Sequence, residues 1–418
     1  MTKKILIVGP SWVGDMVMAQ ALFITLQEQA LKNGHPLPVI DVLAPAWSKP
    51  LLARMPQVRR AVEMPFRHGE LNLAGRYRVG HRLRKERYDQ VIVLPNSFKS
   101  ALPALFVRAR VRTGWRGEAR GMLLNDLRIL DEQALPLMVQ RFVALGLPRG
   151  LPDGAALPQP LPRPRLVTDP ASVAAAVVAL QLPVSVGAYP EGIKDLPAIR
   201  EYAGFNRGQA RSHRDEANRG QARSHRDEQL QTDRPVLVIC PGAEFGDAKQ
   251  WPAEHYAAVS QHQIDAGWQV WILGSAKDSD IATTIRGLLT AVGQEHCHDL
   301  TGRTSLAQAI DLMSLATAVV SNDSGLMHVA AALARPIVAL YGSTSADFTP
   351  PLADNVQLLA IDIDCRPCFE RTCPLKHKRC LVDLSPQLAL AALQQVLVQA
   401  GTPTDATDAT ATTGATGT

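Results

Sequence analysis

The chain has 418 residues, 46% hydrophobic and 20% charged, which excludes a disordered or fibrous protein and leaves room for two or three globular domains. A formal net charge of +5 is too small a surplus for DNA binding but suits an acidic partner. Aromatics at 5% disfavour stacking on single strands, so no nucleic-acid partner is expected. No apolar run reaches the length of a membrane span, and Pro10, Gly14 and Asp15 interrupt the N-terminal run before it could act as a secretion signal, so a cytoplasmic protein is expected.

Strand-like and helix-like segments alternate throughout, the pattern of parallel α/β layers. Residues 5–8 form a strand without polar interruption, as burial on both faces requires. A turn from Gly9 to Asp15 then leads into a helix with apolar Met16, Ala19, Leu22, Phe23 and Leu26. Residues 39–43 and 91–94 read as the next strands, the second followed by Pro95-Asn96-Ser97. Basic residues crowd two segments of this half. Arg76, Arg78, Arg82, Arg84, Lys85 and Arg87 make one, and Arg108, Arg110, Arg112, Arg116 and Arg120 the other. Each reads either as a solvated helix face or as the surface for an acidic ligand.

Residues 147–170 are proline-rich and suit an extended linker, so the spacing predicts one domain over 1–165 and another over 166–400. A helix is predicted at 171–182. Within 188–232, the segment 206–216 recurs unchanged as 218–228 with almost no apolar content, which reads as a disordered repeat insertion or, alternatively, a nucleic-acid arm. The second α/β unit follows, with strands at 236–240, 270–273 and 336–340 and helices at 252–266, 278–292, 306–315 and 385–399. A Thr/Ala/Gly/Asp tail at 401–418 reads as disordered. Two Rossmann-like halves place their strand C-termini opposite each other, and ligands of open α/β sheets bind at those ends.

The most informative string is Ser321-Asn322-Asp323-Ser324-Gly325-Leu326-Met327-His328, between an apolar strand ending at Val320 and an apolar helix. Such a turn exposes backbone N–H groups at the positive end of a helix and can hold phosphate; alternatively Asp323 or Ser324 merely caps the helix. Pro241-Gly242-Ala243 and Gly274-Ser275 are companion turns after neighbouring strands, and Lys249 lies just beyond the first. Lys249 and His328 could both face a diphosphate. Gly9-Pro10-Ser11-Trp12-Val13-Gly14 lacks the spacing of a dinucleotide fingerprint, since Pro10 and Trp12 fill the room a pyrophosphate needs. Asp15 beside it is either a helix cap or a general base. Cys365, Cys368, Cys373 and Cys380 lie within 16 residues, a spacing that could hold a structural zinc or leave free or redox-active thiols. Cys240 and Cys297 read as core.

Five strings together resemble glycosyltransferase family 9, and within it the second-heptose lipopolysaccharide heptosyltransferases. They run Gly9 to Met16, Pro95 to Ser100, Thr113 to Glu118, Pro241 to Gly246 and Asn322 to His328. The resemblance spans about residues 4–147 and 236–352. It implies a GT-B fold, two Rossmann-like domains facing across a cleft. The implied reaction is inverting transfer of L-glycero-D-manno-heptose from ADP-heptose to the first heptose of the lipopolysaccharide inner core, with no cofactor required. Asp15 would be the catalytic base. Gly242, Ala243, Lys249, Gly274, Ser275, Asp323, Ser324, Gly325 and His328 would bind the nucleotide sugar, Asp323 capping the helix rather than touching phosphate. Asn96, Lys99, Arg116 and Arg120 would meet the acceptor, the anionic Hep-Kdo2-lipid A, peripherally at the inner face of the inner membrane. The repeat insertion departs from the family pattern. Alternatives are a first- or third-heptose transferase, a nucleotide-sugar epimerase, for which the 9–16 loop lacks a second carboxylate, and a non-catalytic glycolipid-binding module.

Overall fold

The computed structural model describes residues 2–66, 70–149, 157–183 and 234–401. The predicted insertion at 188–232 and the tail beyond residue 401 lie outside the described residues.

The first unit has strands β1 (Lys4–Val8), β2 (Val39–Ala44), β3 (Val58–Glu63), β4 (Gln90–Val93), β5 (Val111–Trp115) and β6 (Asp126–Arg128). Its helices are α1 (Val13–Lys32), α2 (Lys49–Leu52), α3 (Leu73–Leu83), α4 (Phe98–Val107) and α5 (Met138–Gly146). The second unit opens with α6 (Pro170–Ala179) and has strands β7 (Val236–Cys240), β8 (Gln269–Ile272), β9 (Cys297–Asp299), β10 (Ala318–Asn322), β11 (Ile337–Leu340) and β12 (Val356–Leu359). Its remaining helices are α7 (Ala253–Asp265), α8 (Ser279–Gly287), α9 (Ala291–Glu295), α10 (Leu306–Met313), α11 (Gly325–Ala332), α12 (Arg379–Val382) and α13 (Pro386–Gln399).

The sheets run β3-β2-β1-β4-β5-β6 and β12-β11-β10-β7-β8-β9, with every pairing parallel. Each is therefore a doubly wound sheet, and the strand order switches sides between β1 and β4 and between β7 and β10. Crevices open at the C-terminal ends of those strand pairs. The central strands are apolar because helices cover both faces: Leu6, Ile7, Val238 and Ile239 are fully buried. The helix expected over 278–292 is two helices, because the Thr290 hydroxyl accepts from Gly293 N–H and starts α9 afresh.

The two units are fastened to one another. Gln20 on α1 exchanges two hydrogen bonds with the backbone of Arg165, at 2.6 and 2.9 Å. Leu166 N–H donates to Ala332 at the end of α11, and Val167 N–H to Arg54 just after α2. Met138 N–H, opening α5, donates to Phe348 of the second unit. A continuous apolar core runs from α1 (Met16, Val17) into α11 (Met327, Ala330). These contacts fix how the two crevices face each other.

Candidate active site

The turn after β1 is tight. Gly9 N–H donates to Leu43, and a Cβ on Gly9 would lie 2.8 Å from Met16. α1 begins immediately, with Trp12 at its N-cap and no side-chain cap. Asp15 is therefore in the first turn of α1, which disposes of the reading of Asp15 as cap. The first N–H groups of α1 have no side-chain cap and carry the positive end of the helix dipole.

Across from this turn, the strand β10 ends in an ordered knot. Asn322 is fully buried; its amide donates to Pro241 O at 2.7 Å and its oxygen accepts from Trp251 N–H and Tyr256 O–H. This ties the end of β10 to the turn after β7. Ser324, not Asp323, is the cap of α11, accepting from Met327 N–H. Asp323 instead holds Lys249: its Oδ2 pairs with Lys249 Nζ at 2.6 Å and accepts from the Thr344 hydroxyl at 2.6 Å. The expectation of an Asp323 cap is corrected accordingly, because a buried carboxylate already matched to a half-buried ammonium is held away from the helix N–H groups. Lys249 also lies 4.8 Å above the face of Phe245. It is thus aimed and held, unlike a loop lysine free in solvent.

The two knots touch. A Cβ on Gly14 would lie 2.6 Å from His328 Cδ2, and one on Gly325 would lie 2.7 Å from Val13 Cβ. The N-termini of α1 and α11 therefore converge on one point with only hydrogen atoms to spare. Burial pushes Asp15 up to about 6; Lys249 pulls the other way and Asp323 adds to the rise. Burial likewise pushes His328 down to about 4, so its imidazole is neutral near pH 7 and offers hydrogen bonds without a charge. A carboxylate poised near neutrality thus faces one positive lysine and two helix N-termini. That arrangement can accept a proton on one side while stabilising a departing anion on the other.

The companion turns behave differently. Gly242 and Ala243 follow β7, and a Cβ on Gly242 would lie 2.6 Å from the Asp278 carboxylate. At Gly274-Ser275 that same carboxylate accepts from Ser275 N–H at 2.7 Å and from its hydroxyl at 2.8 Å. The expected phosphate contact at Ser275 is therefore corrected: its donors are taken, and an anion there would meet a like charge. Asp278, Thr344 and the N–H groups of Val13 and Gly14 line the candidate site and were missed by the sequence reading. A serine followed three residues later by an acid was the available signal for Asp278.

On the acceptor side, Asn96 and Arg116 are exposed and Lys99 is half-buried. Arg120 is fully buried; it donates to Trp115 O, to Pro95 O at 2.5 Å and to Asn96 Oδ1 at 3.0 Å. Its place among acceptor contacts is corrected to that of a brace, because all these donors are spent on the loops after β4 and β5. Arg76 is also buried, its guanidinium bonded to the carbonyls of Leu71, Lys99 and Glu70. The first basic segment is thus not wholly a solvated face.

The four cysteines of 365–380 are free thiols. Cys380 is raised by burial and then by the other three thiols, while backbone N–H groups, first that of Lys378, lower Cys373. Among the described residues, no three His, Cys, Asp or Glu side chains form a group that could hold a metal ion.

A family model described as glycosyltransferase family 9 (heptosyltransferase) matches residues 76–379. Lipopolysaccharide heptosyltransferase 2 of Escherichia coli strain K12 is 43% identical over 397 residues, covering 95% of this chain and 99% of that protein. Lipooligosaccharide heptosyltransferase 2 of Haemophilus influenzae is 41% identical, covering 95% and 100%. The solved structure of E. coli ADP-heptose lps heptosyltransferase II superposes with a TM-score of 0.74 at 40% identity, over 95% of this chain and 99% of that one.

Proposed function

This chain belongs to glycosyltransferase family 9, and on that premise we propose that it transfers L-glycero-D-manno-heptose from ADP-heptose to the first heptose of the lipopolysaccharide inner core. The observation that carries the mechanism is the Asp15 carboxylate of one domain set against the Lys249–Asp323 pair of the other. Asp15 takes the proton from the acceptor hydroxyl as its oxygen attacks the anomeric carbon. The bond from that carbon to the phosphate oxygen breaks on the opposite face, so the centre inverts. The electron pair leaves with ADP, and its negative charge is met by Lys249, the N–H groups at the start of α11 and neutral His328. Asp323 and Thr344 hold Lys249 in place rather than touching phosphate. Asp278, between the turns after β7 and β8, suits the nucleotide's ribose hydroxyls, where doubly wound folds place an acid.

The step needs no metal in this reading. A structural zinc on Cys365, Cys368, Cys373 and Cys380 is a separate proposal, and as the chain stands the thiols do not form a metal-holding group, so no step uses it. One equivalent of zinc in purified protein, lost in Cys368→Ser, supports it; active protein without zinc overturns it. The acceptor reading is an anionic lipid-linked core, reached at the inner face of the inner membrane. Among the described residues, no helix is long and apolar enough to cross a membrane.

Incubation with ADP-heptose and a heptose-terminated core acceptor tests the assignment. Release of ADP should require both. Release with a Kdo-terminated acceptor instead reassigns the chain to the first transfer.

A further inference from the structure

The outward face of α3 takes no part in the chemistry above, yet its composition is unusual for a solvated helix. Its inward face, Gly75, Arg76, Val79, Gly80 and Leu83, is buried. Gly80 lets α3 lie directly on α4, since a Cβ there would sit 2.4 Å from Phe106 Cβ. Outward, Leu73 and Tyr77 stand one turn apart at 51% and 47% exposure, with Leu71 at 48% just ahead of the helix. Arg78, Arg82 and Lys85 are exposed around them. α3 contains no acidic residue. Two carboxylates flank it: Glu86 is paired with Arg59 and Arg60 at 3.3 and 3.2 Å, and Glu70, ahead of the helix, accepts from the Asn72 amide at 3.0 Å and acts on the buried Arg76. Among the described residues, no salt bridge engages Arg78, Arg82 or Lys85.

The neighbouring helix extends this face. Arg76 bonds to Lys99 O, Gly80 meets Pro103 and Phe106, and Arg84 bonds to Phe106 O, so α3 and α4 run side by side in the same direction. Their C-terminal ends are joined by the Arg84–Phe106 bond, and Lys85 on one side and Arg108 and Arg110 on the other are exposed. Their N-terminal ends meet at Lys99, on the rim of the crevice beyond β4. Exposed leucine and tyrosine within an unpaired cationic surface match the interfacial helices that rest on acidic bilayers.

We propose that the outward face of α3, continued by the end of α4, lies on the anionic headgroups of a lipid bilayer. Leu71, Leu73 and Tyr77 sit at the headgroup boundary, and the arginines neutralise lipid phosphates. The helix pair then presents the Lys99 rim to an acceptor anchored in the same bilayer. Only that last consequence rests on the proposed reaction; binding to the bilayer does not.

The full chain is sedimented with vesicles of phosphatidylethanolamine and phosphatidylglycerol, and in parallel with neutral phosphatidylcholine vesicles. Binding is expected to the anionic vesicles, to fall steeply between 50 and 500 mM salt by screening, about 3 Å of Debye length remaining near 1 M. Arg78→Glu with Arg82→Glu is expected to weaken it about tenfold or more, and Leu73→Ser with Tyr77→Ser to weaken it at unchanged charge. ADP release with a lipid-free acceptor reports folding and should stay at the wild-type rate in both variants. Equal binding to neutral vesicles, no binding to anionic ones, or wild-type binding by the charge-reversed variant overturns the proposal. If vesicle binding holds while no acceptor releases ADP, the reaction fails and the surface stands.

Discussion

Asp15 illustrates how one side chain can serve activity at the expense of stability. Its pKa is raised to about 6 by burial, so the folded chain holds that proton more tightly than the unfolded chain does. The associated stability is complete below the unfolded value near 3.9 and is lost as pH rises through about 6. At pH 7.5 the wild type therefore carries the whole penalty, at most about 3 kcal/mol. Asp15→Asn is expected to lower turnover by about 10²- to 10⁴-fold and to raise Tm at pH 7.5, with little gain at pH 4. Thermal denaturation at the two pH values decides it, and an equal gain at both would sink the account. Wild-type kcat/KM should fall as pH drops through about 6, because a protonated carboxyl cannot accept the acceptor's proton. Gly14 gives a second check at this scale. Gly14→Ala lies inside a helix, where alanine is intrinsically favoured, but its Cβ would lie 2.6 Å from His328. We expect at least a tenfold loss of turnover, whereas Gly287→Ala, with nothing within 4 Å, should be neutral or slightly stabilising. The sequence displayed Asp15 as a carboxylate at a helix start. It could not display its partner, since the contact of Gly14 with His328 joins residues more than 300 positions apart.

At the scale of elements, legibility followed burial. Strands β1, β7 and β10 are covered on both faces and were plain as apolar runs. Strands β3, β6 and β12 lie at sheet edges, and their mixed polar sequences, such as Val58-Arg59-Arg60-Ala61-Val62-Glu63, carry no such signal. The excursion at 363–380 was visible only as a cysteine spacing, while its mechanical role is tertiary. Arg371 O accepts from Ala248 N–H, Lys378 pairs with Asp247 at 2.6 Å, and Arg366 donates to Gly342 O and Thr344 O. These bonds brace the loops that carry Lys249 and Thr344, so the excursion positions the anion-facing lysine without touching the reacting atoms. Gly246 is where the fit is closest: a Cβ there would lie 2.2 Å from Arg371 O. Gly246→Ala is expected to push the two loops apart and raise KM for the nucleotide sugar by about tenfold, leaving KM for the acceptor nearly unchanged. A matching rise in both constants would show a general loss of structure instead.

At the scale of the whole molecule, catalysis in this reading depends on register between two doubly wound sheets, because the base and the anion site belong to different domains. The alternation of segments revealed two such units, yet nothing in a linear pattern could set how they face. That is decided by paired groups far apart in the chain, Arg54 and Asp311 among them. Arg54 donates to both oxygens of Asp311, through Nη2 at 2.6 Å to each and Nε at 3.1 Å, linking the end of α2 to α10 across the domain boundary. Asp311 is 3% exposed, and burial raises its pKa while Arg54 pulls it back down. Removing Arg54 leaves a carboxylate buried without its counter-charge, a loss of about 3–5 kcal/mol for such pairs. Arg54→Ala should therefore lower Tm by several degrees. Adding Asp311→Asn should restore most of that loss, since the orphaned charge, rather than the missing bridge, is what destabilises. Thermal denaturation of the two variants separates the causes: an equal fall in both would mean that the bridge itself holds the domains in register, and turnover should then fall with Tm in the double variant as well.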